Sequence, residues 1–167
     1  MRYHRSMARE EHDREDLLAE ATALTERAEL QVEGFAAPIV IGFRSQGAAS
    51  FYFGADPAYH FNSRGRLRRA FVQGLLYKAE RGRLVSLDRR RAAGQVQLLR
   101  HELDAAESDR FLEAARQRLI ALRDKLNRRQ FQTVGQHPPQ TDVIGRAQAW
   151  LSRHVDLLQT ADSARVE

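Results

Sequence analysis

The stretch HFNSRGRLRRAFVQGLLYKAERGRL, from His60 to Leu84, decides the fold. Its glycines, Gly65, Gly74 and Gly82, stand nine and eight residues apart, each after a polar residue that tolerates a turn. That is the rhythm of short antiparallel strands joined by tight loops. The tetrapeptide Arg-Gly-Arg-Leu occurs at 64–67 and again at 81–84, as successive hairpins would place it. Two copies are too few for a repeat architecture. Two-residue loops also fix which residues face each other. With Arg64-Gly65 and Gln73-Gly74 as loops, His60 stands opposite Arg69, Phe61 opposite Arg68, Arg69 opposite Lys78 and Ala70 opposite Tyr77. One face then collects Tyr59, Phe61, Ala70, Val72, Leu75, Tyr77 and Ala79. The other collects His60, Asn62, Leu67, Arg69, Phe71, Leu76, Lys78 and Glu80.

Upstream, Ile39, Ile41 and Phe43 alternate with Val40, Gly42 and Arg44. Gln46-Gly47 then signals a turn, and Ala49, Phe51 and Phe53 continue the period of two. Before Pro38 the spacing of Leu17, Ala21, Leu24, Ala28 and Val32 predicts a helix from about Asp13, closed by Gly34. Downstream, Gln95–Leu103 fits either a seventh strand or a helix. Asp104-Ala105-Ala106-Glu107 resembles a capping box, opening a helix over about 105–129 with the stripe Leu112, Ala115, Leu119, Leu122 and Leu126. His137-Pro138-Pro139 reads as a linker. Thr141 or Asp142 caps a last helix bearing Val143, Ala147, Trp150, Leu151, Val155 and Leu158. The expected fold is α+β: an antiparallel β-meander of six or seven strands over about 38–103, packed with one N-terminal and two C-terminal helices. It forms one domain, 13–159, between flexible tails at 1–12 and 160–167.

Composition narrows the function. A chain of 167 residues, 43% hydrophobic and 29% charged, suits a single globular domain. The absence of cysteine excludes disulfides, thiolate metal sites and Cys nucleophiles. No apolar run approaches the roughly 18 residues of a membrane span, and the basic start Met1–Arg5 leads into charge rather than a signal-peptide core. A cytoplasmic protein with no membrane contact is the expectation. Six histidines fall in no ligand spacing, Arg100-His101-Glu102 would point its acid and base to opposite faces of a strand, and Gly42–Gly47 lacks a nucleophile elbow. No catalytic residue, metal or cofactor is assigned.

Charge is the remaining signal. The net charge is +5, and 25 of the 27 basic residues are arginine, which suits phosphate but also follows from a genome-wide preference. Its placement says more. Residues 60–92 hold ten Arg/Lys and two acids, a net of +8, leaving −3 for the rest. Like charges opposite one another on a sheet are destabilising, so a row of His60, Arg69 and Lys78 calls for an anion or for covering acids such as Glu80, Glu102, Asp104 or Glu107. The sequence thus predicts a binding module without catalysis whose meander contacts nucleic acid or another polyanion. The candidate residues are His60, Arg64, Arg69, Lys78, Arg81, Arg89, Arg90 and Arg91, with Phe71 for stacking and a protonated His60 strengthening the contact. The alternative is an assembly or adaptor domain that meets a protein partner, or a second copy, through the 105–129 or 141–159 helix.

Overall fold

A computed structural model describes residues 26–44, 47–135 and 141–161. They form one antiparallel sheet of nine strands: β1 (Glu26–Val32), β2 (Ile39–Phe43), β3 (Ala49–Phe53), β4 (Ala58–Phe61), β5 (Leu67–Val72), β6 (Leu75–Glu80), β7 (Arg83–Ala92), β8 (Gln95–Glu102) and β9 (Phe131–Thr133). The spatial order is β8-β7-β6-β5-β4-β3-β2-β1-β9, so the first eight strands are a meander and only β9 breaks sequence order. Seven strands lie within the predicted 38–103, and Gln95–Glu102 is resolved in favour of a strand. Helices α1 (Ala105–Asn127) and α2 (Thr141–His154) follow, the latter running into a short 3-10 turn at Val155–Leu157.

Three of the hairpin loops have both central residues at positive φ: Gln73-Gly74, Arg81-Gly82 and Ala93-Gly94. That is the loop whose twist matches the twist of the strands it joins. The Arg64-Gly65 loop is different. The Asn62 side-chain oxygen accepts from the backbone N–H groups of Arg64 and Arg66, both at 2.9 Å, and Gly65 N–H donates to Asn62 O at 3.0 Å. The loop is longer than two residues, and Phe61 pairs with Leu67 instead of the expected Arg68. The resulting bulge turns Leu67 into the core and restores the register at His60–Arg69. From there the pairs Arg69–Lys78 and Ala70–Tyr77 stand as the sequence implies.

The N-terminal helix is corrected over its last part. Residues 26–32 form β1, because Ala28, Leu30 and Val32 are buried while Arg27, Glu29 and Gln31 between them are not. The helix over 13–25, the 1–12 tail, Gln46, the His137-Pro138-Pro139 linker and residues 162–167 lie outside the described residues. At the other end, Thr160 and Ala161, expected in the tail, belong to the fold. Ala161 N–H donates to Leu67 O at 2.8 Å, and the Thr160 hydroxyl donates to Gly82 O at 2.9 Å.

Both helices cover one face of the sheet. Ala115, Leu119, Leu122 and Leu126 of α1, with Val143, Ala147, Trp150 and Leu151 of α2, bury against Leu30, Ile41, Phe51 and Phe61. The Trp150 ring sits 5.1 Å from Phe51 and 4.7 Å from Phe61, centroid to centroid. The capping box forms as expected: the Asp104 carboxylate accepts from Glu107 N–H at 2.8 Å, and the Glu107 carboxylate accepts from Asp104 N–H at 3.1 Å. The opposite, outer face carries a smaller cluster of Tyr52, Ala58 and Phe71 with Val40 and Leu76 against it.

Candidate polyanion-binding face

Register alone assembles the outer face. Across β3 to β8 the residues Ser50, His60, Arg69, Lys78, Val85 and Glu102 stand in one row. Side chains alternate along a strand, so Leu87, Arg89 and Arg91 of β7 share the face of Val85. Four of the predicted residues, Arg69, Lys78, Arg89 and Arg91, therefore stand on one surface. Arg64 and Arg81 are exposed on loops at one end of the sheet, because the β4–β5 and β6–β7 connections leave from the same side of a meander.

Two predicted residues are not presented on this surface. His60 is in the row but only 5% exposed. Its Nδ1 is hydrogen-bonded to the Ser50 hydroxyl at 2.9 Å and its Nε2 to the Tyr52 hydroxyl at 3.1 Å. Burial, followed by the positive fields of Arg69, Arg44 and Arg68, pushes its pKa well below that of a free imidazole. It is a neutral, structural histidine, and the expected gain from protonating it is overturned. Arg90 falls on the helix side of β7, where its Nε donates to Asp88 Oδ2 at 2.6 Å. Phe71 is buried, so no base can stack on it.

The acids near the row have ion-pair or capping partners outside it, and Glu80 also lies in the fields of Lys78 and Arg81. Glu80 forms a two-pronged ion pair with Arg100, whose hydrogen bond holds the Glu80 carboxyl below the usual range. Glu102 faces Arg83 at 3.7 Å. Glu107 combines its capping role with a 3.0 Å contact to His101, and Asp104 caps α1. Sequence reasoning passed over Arg83 and Arg100 as partners, since pairing across β6–β8 becomes visible only once 95–102 is known to be a strand.

The apolar stripes assigned to a partner by the adaptor reading are buried: Leu119, Leu122 and Leu126 of α1 and Trp150 of α2 belong to the core. Exposed large apolar side chains concentrate instead on β8, every residue of which is exposed. Among the described residues, no three His, Asp or Glu side chains gather as metal ligands, and no helix is long and apolar enough to cross a membrane. No protein-family model, curated protein or solved structure matches this chain.

Proposed function

We propose that the protein is a binding module whose outer sheet face takes a polyanion, nucleic acid foremost. One observation carries this: the register stacks Arg69 and Lys78 on neighbouring strands and continues the same face to Arg89 and Arg91. Arg64 and Arg81 extend the charge to the rim. With Phe71 buried, recognition rests on phosphate contacts, which position a duplex or strand but do not read its sequence. Binding should therefore show little sequence preference and a steep salt dependence.

The test is titration of labelled single- and double-stranded DNA and RNA over a range of salt. Each phosphate neutralised gives a log–log slope of about −0.7 to −0.9. The double variant Lys78→Ala, Arg91→Ala should flatten the slope by about 1.4 to 1.8 while leaving the melting temperature in place. Absence of binding at high micromolar protein, or equal slopes for the two proteins, ends the reading in favour of a surface neutralised by its own acids.

A further inference from the structure

We infer that the outer edge of β8 is an interface between two copies of this chain, paired antiparallel about Leu98. The inference stands on the edge itself and does not depend on polyanion binding. The sheet has two terminal strands among the described residues. β9 is three residues long, and short edges are self-protecting. β8 is eight residues long, and its first five, Gln95-Val96-Gln97-Leu98-Leu99, hold no charge, no proline and no bulge. They expose Val96 at 44%, Leu98 at 58% and Leu99 at 43%. An uncharged, unbulged edge stretch with exposed apolar side chains is what folded proteins ordinarily cover or pair.

The backbone sets the geometry. Leu103 N–H donates to Leu84 O at 2.8 Å, so by alternation residues 97, 99 and 101 turn their N–H and C=O groups toward β7. Those of Val96, Leu98, Arg100 and Glu102 turn outward. A second β8 arriving antiparallel, about a two-fold axis perpendicular to the sheet, offers the same groups in return, so the contact closes on itself. Centring it on Leu98 sets Leu98 against its own copy, Val96 against Arg100 and Gln97 against Leu99. Shifting the axis to Arg100 would oppose two guanidinium groups, and shifting it to Leu99 would bring them diagonally together. The charges of β8 itself do not oppose the approach: Arg100 and Glu102 are balanced within each copy by Glu80 and Arg83. The partner's loop that reaches Glu102 and Leu103 in this register is Ala93-Gly94, a pair of small residues.

A chain without cysteine makes the test clean. Leu98→Cys in the full chain should oxidise to a species with the mass of two chains, and wild type should sediment as a dimer at micromolar concentration. Leu98→Pro removes an outward N–H and leaves the ladder to β7 intact, so it should sediment as a monomer with the wild-type circular dichroism spectrum. Leu98→Lys, which cannot disturb the backbone, should do the same and decides the matter if the proline variant misfolds. A wild-type monomer up to high micromolar concentration, or a dimer that survives Leu98→Lys, overturns the inference. Faster cross-linking of Leu99→Cys than of Leu98→Cys overturns the register.

Discussion

Replacing Gly65 by alanine should be among the most costly single-methyl additions this fold can receive. Gly65 has φ +78°, a left-handed conformation in which a Cβ is strained by about 1–2 kcal/mol. The added Cβ would also lie 2.3 Å from His154 Nδ1, 2.5 Å from its Cγ and 2.6 Å from its Cε1. Moving that ring disturbs an aromatic contact. The ring lies tilted against Trp150 at 4.9 Å, and Trp150 packs on both Phe51 and Phe61. Overpacking at a site of this kind adds about 1–3 kcal/mol, for a total loss of about 2–4 kcal/mol. Urea unfolding read by the fluorescence of Trp150, the only tryptophan, and by circular dichroism should show the midpoint falling with the slope unchanged. The cycle with His154→Ala separates the two causes. Removing the ring should recover about 1–2 kcal/mol of the Gly65→Ala loss and leave the backbone strain in place. A Gly65→Ala protein within about 0.5 kcal/mol of wild type, or two changes that merely add, would refute the reasoning.

Three further outcomes follow from the same structure. Because the folded-state pKa of His60 lies well below its unfolded value, the unfolded chain binds the extra proton as pH drops. Stability is then fully present above pH about 6.5 and is lost as pH falls toward the folded pKa, and His60→Gln should lessen that loss in denaturant titrations across pH. Leu119, fully buried under the sheet, should cost about 2–5 kcal/mol as Leu119→Ala, while Leu119→Asp should leave an unfolded protein by circular dichroism. Asp56 accepts from Gln73 N–H and Gly74 N–H, both at 2.9 Å, so Asp56→Ala should lower stability by about 1–2 kcal/mol and speed hydrogen exchange at those two amides.

The meander was legible because each of its inner strands carries one core face, and the loops at Gln73-Gly74 and Arg81-Gly82 carry glycine at the second of their two positive-φ positions. Legibility failed where a physical signal was shared or missing. Ala28 and Val32 are four apart, a spacing common to a helix stripe and to one face of a strand, and Leu30 between them is what distinguishes the two. β8 shows no alternation because neither of its faces is buried, and β9 is too short to show any period. The bulge at Arg68, opposite the step from His60 to Phe61, was hidden because Asn62 lengthens the loop through side-chain bonds that the Arg-Gly pair does not announce. For the candidate site, the opposition of His60, Arg69 and Lys78 was readable from loop lengths. The burial of His60 was not, since it depends on Ser50 and Tyr52 reaching the ring from a strand on its other side.

The position of β9 bears on how the chain matures during synthesis. Within β1 to β8 every pairing joins sequence neighbours, so each hairpin can close as it leaves the ribosome, at little cost in loop entropy. The outer side of β1 must wait. Its pairing groups are met only by Phe131–Thr133, nearly a hundred residues later, after the whole of α1 has been made. During that interval the outer edge of β1 is unpaired by β9 and neither α1 nor α2 has reached the apolar face, the condition in which chains adhere to one another. Docking of α1 ends this by covering the face, and at the same time it delivers β9 to the edge of β1.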